Sequence, residues 1–398
     1  MHPASTDGIA EHGDSDELGS GEPSVPRTPA ARRYGFVMEL QAGLQTVYSN
    51  WRRVVEADCE IDPTWVPISY HQPNGLIEKM GFMPAPVRAA ARSYLQVERG
   101  LGTGKYDAVL FNTYNPAVLN QRALRRQPGY LMFDVTPRQY DGMAEWYEHD
   151  ADRAGWLHDW KQKRVRETFQ SAAGLFAWSN WAAASAIEDY GVAAEQVHVL
   201  PPGVDTDLWR PLEDPEPEER TRSDITRLLF VGYAFERKGG DLLLRWARET
   251  QLKNWELHLV TMEPQRVPPG VIVHNGMSVN SDALVKLTQR CDIFVLPTRA
   301  DCFSLASLEA MSVGLPVLTT RVGGIPDIVT DGVTGYLMEP GDYDDMKERL
   351  EVLIGSPGLR QTYGKAAREL VCRRFNSSDG IRRGLRVMSG AAASQASA

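Results

Sequence analysis

Cysteine is scarce, with four in 398 residues, and Cys59, Cys291, Cys302 and Cys372 form no Cys-x-x-Cys pair and have no histidine at metal-ligand spacing. That spacing excludes a disulfide framework and a zinc ribbon, and it fits reduced thiols in a cytoplasmic protein. Positive charge is in deficit: 43 Lys and Arg stand against 52 Asp and Glu, for a net charge of −9. Such a balance removes general binding to a nucleic-acid backbone, so no nucleic-acid partner is expected. No apolar run reaches the roughly 18–20 residues that span a bilayer, and the start lacks the basic and apolar stretches of a signal peptide. Repeats are also missing, which sets aside solenoids and propellers. Finally, no Asp-x-Asp triplet follows a strand; Asp205-Thr-Asp207 follows Pro201-Pro-Gly-Val204 and reads as structural, so no metal site is assigned.

What remains is an ordinary globular composition, 42% hydrophobic and 24% charged, in a chain long enough for two or three cores. Residues 1–31 hold six acids against one arginine amid Gly, Ser and Pro, and 390–398 are Ala and Ser rich; both read as disordered tails. Between them short apolar runs alternate with longer amphipathic segments, as parallel strands do when helices cover both faces. Five strand candidates precede residue 201, at Tyr34–Met38, Asp107–Phe111, Tyr130–Phe133, Gly174–Trp178 and Val197–Leu200. Six follow residue 226, at Arg227–Val231, Glu256–Val260, Val271–His274, Asp292–Leu296, Pro316–Thr319 and Gly335–Met338. The Pro-rich acidic stretch Glu213–Glu219 separates the two series. Two doubly wound Rossmann-like units facing across a cleft are therefore expected, with ligands at the carboxyl strand ends.

Two loops at those ends carry chemistry. Asp301-Cys-Phe-Ser304 leads into a predicted helix through Glu309, whose amino end offers unpaired N–H groups and a positive dipole suited to a diphosphate. Asp301 and Glu309 can accept hydrogen bonds from sugar and ribose hydroxyls; loop capping and a solvated helix position account for them equally well. Gly232 to Gly240 carries Arg237 and Lys238, which suit a phosphate or an exposed cation pair. In the first half, Glu39-Leu-Gln-Ala-Gly43 is a glycine loop or a plain strand-to-helix turn. Asp134 either hydrogen-bonds an acceptor hydroxyl or caps the turn before Pro137. Ser179 reads as a helix cap, and the cluster Tyr140, Trp146, Tyr147, Trp156 and Trp160 as core rather than a sugar platform. Arg88, Arg92, Arg99, Arg122, Arg125 and Arg126 suit a solvated helix face, with weak contact to anionic lipid left open.

In combination, several stretches resemble one family. They are Leu200-Pro-Pro-Gly-Val-Asp205, Phe230-Val-Gly232 with Arg237-Lys-Gly239, Asp292-Ile-Phe-Val-Leu-Pro297, Leu308-Glu-Ala-Met-Ser-Val-Gly-Leu-Pro-Val317, and Val322-Gly-Gly-Ile-Pro-Asp-Ile-Val329 with Asp331-Gly-Val-Thr-Gly335. The second half, over residues 197–376, resembles the nucleotide-sugar domain of retaining family 4 glycosyltransferases of the GT-B fold. The first half resembles their acceptor domain more faintly. The resemblance implies residues 32–210 plus 377–389 as the acceptor-side domain, with a helix returning from the C-terminus, and 211–376 as the donor domain. It implies transfer of a hexose from a nucleotide diphosphate sugar to an acceptor hydroxyl with retention, without metal or cofactor, in glycan, polysaccharide or glycolipid synthesis. The acceptor would be a glycan, a lipid-linked or a small molecule, and the location cytoplasmic or peripheral on the inner membrane face.

By the same resemblance Lys238 holds the donor diphosphate with help from Arg237, Glu309 binds ribose and Asp301 meets the transferred sugar. Phe303, Ser304 and Leu305 offer backbone amides, Gly43 lies near donor phosphate or acceptor, and Asp134 stands where relatives place a histidine. Three positions depart from the family pattern: Asp301 for the usual Glu, Tyr233 for the usual Arg, and Cys302-Phe-Ser304 for Gly-Phe-Gly. Asp301 and Tyr233 keep a catalytically silent nucleotide-sugar-binding protein in view, and another GT-B activity, such as a nucleotide-sugar epimerase or a phosphorylase, is the alternative among enzymes.

Overall fold

The computed structural model describes residues 31–41, 43–70, 75, 77, 84–147, 155–212, 225–263 and 266–390. The two predicted tails, apart from Ala31 and Gly390, and the acidic stretch after Leu212 lie outside the described residues. The chain forms two six-stranded parallel sheets, ordered β2-β1-β3-β4-β5-β6 and β12-β11-β10-β7-β8-β9. The first comprises β1 (Arg32–Glu39), β2 (Ile61–Ile68), β3 (Ala108–Phe111), β4 (Gly129–Phe133), β5 (Gly174–Ala177) and β6 (Val197–Val199). Its helices are α1 (Leu44–Glu56), α2 (Ala85–Leu101), α3 (Tyr114–Leu119), α4 (Gln121–Arg126), α5 (Pro137–Asp141), α6 (Trp156–Ser171) and α7 (Asn180–Glu188). The second comprises β7 (Thr226–Val231), β8 (Trp255–Val260), β9 (Val271–His274), β10 (Ile293–Leu296), β11 (Val317–Thr320) and β12 (Gly335–Met338). Around it stand α8 (Gly240–Glu249), α9 (Asp282–Gln289), α10 (Leu305–Ser312), α11 (Tyr343–Gly355) and α12 (Pro357–Arg374), and α13 (Ser377–Met388) follows.

Burial on both faces explains why the strands read as continuous apolar runs: β3, β4, β5, β10 and β11 are buried at every residue. Side-chain alternation divides the first sheet cleanly. Val37, Val109, Phe111, Leu131, Phe133 and Leu175 pack with residues of α2, α3 and α6, while Phe36, Leu110, Met132 and Phe176 join Trp51 of α1 and residues of α13. One strand, β2, was not among the predicted ones, because Pro63 and Pro67 argue against a central strand. The structure places β2 at the sheet edge, and its two prolines are at alternate positions, where the missing N–H groups can face the open side.

The C-terminus returns to the first half as α13. Tyr130 donates through its hydroxyl to the Val387 carbonyl at 3.2 Å, and Gly384 packs so close that an added Cβ would lie 2.9 Å from Leu200. Just before, the two connecting segments cross: Val204 N–H donates to Phe375 O at 2.8 Å and Ser377 N–H to Val204 O at 2.9 Å. Gly203 makes that crossing possible, since it has φ +67° and a Cβ there would sit 2.6 Å from Phe375 O. Asp205 is structural as well: its Oδ1 accepts from the Asp207 and Leu208 amides at 3.1 and 3.3 Å, and its Oδ2 pairs with Arg53 at 3.1 Å.

Candidate functional site

The carboxyl ends of both sheets meet across one cleft, fastened on either side. At the amino end of α7, Asn180 donates its backbone N–H and side-chain amide to the Asp327 carboxylate at 2.5 and 3.0 Å. Elsewhere Asn280, held at φ 56°, bridges Trp209 Nε1 and Thr46 Oγ1. Ser179 caps α7 by accepting from the Ala182 amide at 3.1 Å, as its sequence position predicts.

On the side of the second sheet, β7 ends at Gly232, whose lack of a side chain leaves room for the Lys238 stem; an added Cβ would lie 3.0 Å from Lys238 Cβ. The following Gly239, at φ +80°, sits so close to Pro297 O that any side chain would clash. These two approaches aim Lys238 across the loop after β10, where its Nζ pairs with the Asp301 carboxylate. Both partners are buried or nearly so. Arg237 stays in the same loop with its guanidinium engaged: Nη1 donates to Ala300 O at 2.8 Å, and the group lies 4.3 Å over the Tyr147 ring.

Beyond Asp301 the chain is pinned from behind by Gly323 and Gly324; Gly324 N–H donates to Cys302 O at 2.9 Å. It then enters α10, capped by Ser304, whose Oγ accepts from the Ser307 amide at 3.2 Å. The first amides of α10, from Leu305 onward, point out of the helix end. One turn further, Glu309 is 7% exposed and has no hydrogen-bond or ion-pair partner among the described residues. Burial pushes its carboxyl up to about 8. Phe303 turns to the other half and meets the Trp178 ring edge-on at 5.8 Å.

The first half supplies the opposite wall. Gly43 begins α1, and a Cβ on it would stand 3.1 Å from Leu305 Cδ1, so this loop lies directly against the amino end of α10. Asp134 follows β4. Surrounding protein pushes its carboxyl up to about 6, with the charges of Asp301 and Glu39 acting in the same direction. It does not serve as the helix cap; Thr136 caps α5 with a reciprocal Gln139 contact. Glu39, which the sequence reading treated only as the start of the glycine loop, ends β1 buried. Its backbone is clamped by Asn112 at 2.8 and 3.1 Å, its carboxylate accepts from Tyr70, and burial raises its pKa. The available signal was a carboxylate closing an otherwise apolar strand.

The structure thus brings Lys238, Arg237, Asp301, Phe303, Ser304, Leu305, Gly43 and Asp134 to one cleft, while Glu309 stands buried one turn further along α10. The aromatic cluster divides. Tyr147 reaches the cleft, 3.5 Å from Cys302 Sγ, and its ring lies 4.9 Å from that of Tyr140. Trp146 lies beneath Arg299, but Trp160 is 53% exposed and does not belong to a core. The side chain of Trp156 is outside the described residues. Tyr233, at the position of the family arginine, turns its hydroxyl to Met277 O at 3.1 Å.

Two family descriptions match in sequence order: Glycosyltransferase Family 4 over residues 46–208, and Glycosyl transferases group 1 over residues 225–356. An MMP α-(1→4)-mannosyltransferase of Mycolicibacterium hassiacum is 30% identical over 225 residues, covering 54% of this chain and 52% of the relative. A D-inositol 3-phosphate glycosyltransferase of Kribbella flavida is 29% identical over 232 residues, covering 51% and 53%. The chain spans about half the length of these curated relatives. A solved sucrose-phosphate synthase from Thermosynechococcus elongatus shares the fold, with TM-score 0.74 at 17% identity over 91% of this chain and 100% of that one.

Proposed function

The chain belongs to the group 1, family 4 glycosyltransferases of the GT-B fold, and from that premise we propose that it moves a hexosyl group from a nucleotide diphosphate sugar to an acceptor hydroxyl with retention of configuration. In this reading the diphosphate lies between Lys238 and the amino end of α10 and replaces part of the Lys238–Asp301 contact. Glu309 accepts hydrogen bonds from the ribose diol, and Asp301 turns to the hydroxyls of the transferred sugar. Gly43 keeps the first-half wall low enough for donor phosphate to pass, and Asp134 accepts from a hydroxyl of the acceptor next to the reacting one.

The observation that carries the reading is Glu309: a carboxyl buried one turn into α10, without a hydrogen-bond or ion-pair partner among the described residues, its ionised form disfavoured by burial. Burial without a partner is costly, and a diol would satisfy it. No carboxylate is placed as a covalent nucleophile. The acceptor oxygen bonds to the anomeric carbon on the face from which the diphosphate departs, and the leaving oxygen takes the acceptor proton. Lys238 and the α10 amides stabilise the charge that grows on that oxygen, so no metal or other cofactor is assigned to the step. Tyr233 and the engaged Arg237 leave Lys238 as the principal diphosphate cation.

The test is thermal unfolding with UDP, GDP, ADP and dTDP in turn, on wild type and Lys238→Ala. A nucleotide at a hundred times its Kd adds about 2.7 kcal/mol of stability. The expected result is one nucleotide that stabilises wild type and not the variant. No shift with any of the four overturns the donor site. Binding without release of nucleotide from the matching sugar nucleotide, acceptor mixtures included, favours the silent reading.

A further inference from the structure

We propose that a second anion site lies outside the cleft, in a cavity of about 480 Å³ between α2, α4 and α6, and that it takes a phosphate-bearing ligand. The cavity is lined by Arg122, Arg125, Arg126 and Arg164, with Glu98 as the opposing charge and Tyr94 on the apolar side. Its volume falls within the range of small-molecule sites.

Three features point to an anion. First, Arg122, Arg125 and Arg126 stand at i, i+3 and i+4 of α4, so they share a face and repel one another. Second, none of the three has a hydrogen-bond or ion-pair partner among the described residues. Favourable contact with the carboxyl end of α4 accounts for Arg125 and Arg126, but not for Arg122 near its start or for Arg164 on another helix. Third, Arg164 is held in place rather than free. Its Nη1 donates to Gln121 Oε1 at 2.8 Å and its Nη2 to Val118 O at 3.2 Å, while Gln121 returns a bond to Arg164 O at 3.0 Å. A fixed guanidinium beside three unpaired ones gives a net excess of three positive charges over Glu98, in a chain that is acidic overall. Forked guanidinium groups match phosphate oxygens in geometry as well as charge.

The site is separate from the donor cleft. α4 leads into the amino end of β4, whereas Asp134 follows its carboxyl end, and the five residues of β4 span roughly 16 Å at strand rise. The ligand is either a soluble phosphate compound or the phosphate of an anionic lipid headgroup, which the flanking exposed Tyr94 and Leu95 of α2 would also suit.

The test uses the full chain as wild type, Lys238→Ala and Arg122→Gln/Arg125→Gln. Both arginines are exposed, so the double variant should fold. Pyrophosphate, titrated at constant ionic strength, is expected to raise Tm in wild type and in Lys238→Ala, with apparent affinity at least tenfold weaker in the double variant. Flotation with phosphatidylglycerol or phosphatidylcholine vesicles then separates the sources. Pyrophosphate binding without flotation assigns a soluble ligand. Flotation only with phosphatidylglycerol, lost in the double variant, assigns a lipid headgroup. A pyrophosphate response abolished by Lys238→Ala and untouched by the double variant, with flotation absent or equally untouched, overturns the proposal.

Discussion

Glu309→Gln replaces a titratable carboxyl by a neutral amide of the same shape, and the buried carboxyl makes the outcome calculable. Burial raises this group to about 8 from an ordinary 4.5. Between those pH values the folded chain holds a proton on Glu309 that the unfolded chain has released, so stability falls as pH rises through the window. At about 1.4 kcal/mol per pH unit the full loss is on the order of 5 kcal/mol. Glutamine carries no such penalty. The variant should therefore match wild type near pH 5 and exceed it progressively up to pH 8.5. At roughly 2–4 °C per kcal/mol for a domain of 150–250 residues, the difference in calorimetric Tm at pH 8.5 should reach roughly 10–20 °C. Other titrating groups are common to both proteins and cancel in the difference. The bound state adds a second readout. If a ribose diol donates to Glu309, it favours the ionised form, and nucleotide binding to wild type at pH 7 should release close to one proton. Calorimetric titration in two buffers of different ionisation enthalpy measures that number, and Glu309→Gln should release none. A Tm difference independent of pH would refute the buried-carboxyl argument, and equal proton release by the two proteins would refute the diol contact.

Asp134, raised to about 6, must be ionised to accept from an acceptor hydroxyl, so kcat/KM should fall on the acid side with a midpoint near pH 6. Asp134→Asn should lower the rate and flatten that limb; a limb unchanged in the variant assigns it to another group. Gly203→Ala should cost a few kcal/mol, because the residue has φ +67° and its Cβ would lie 2.6 Å from Phe375 O where the two connecting segments cross. Urea unfolding measures the loss, and a variant within 0.5 kcal/mol of wild type would show that the crossing relaxes freely.

The second half was legible because its candidate site residues are contiguous. Lys238 follows one strand, Asp301 and Glu309 follow another, and the glycines that press these loops together, Gly232, Gly239 and Gly323, lie in the same runs of sequence. The central strands β10 and β11 are buried on both faces and read as unbroken apolar runs, and all six strands of that half were predicted within two residues of their observed ends. The edge strand β2 was not legible, because its prolines are compatible with a strand only when the neighbour on one side is solvent, a property of sheet order rather than of sequence. What residues such as Arg237 do is equally a matter of context: two adjacent cations look alike in sequence, yet the fold pairs Lys238 with Asp301 and commits Arg237 to Ala300 and Tyr147.

The opposite wall of the cleft shows the same limit more sharply. Glu39, Asp134 and Asp301 come from three strand ends separated by 95 and 167 residues of chain, and each alone has an ordinary structural explanation. Their meaning arises from proximity: the charges of Glu39 and Asp301 both raise Asp134, and Tyr70, Asn112 and Gly43 fix the loops around them. In the proposed reading, three carboxyl groups with Lys238 paired against one of them disfavour an anionic group on an acceptor next to Asp134. An acceptor that presents neutral hydroxyls, or a cationic substituent, beside the reacting oxygen meets less repulsion there, and a phosphate on the acceptor would have to lie away from these three carboxylates.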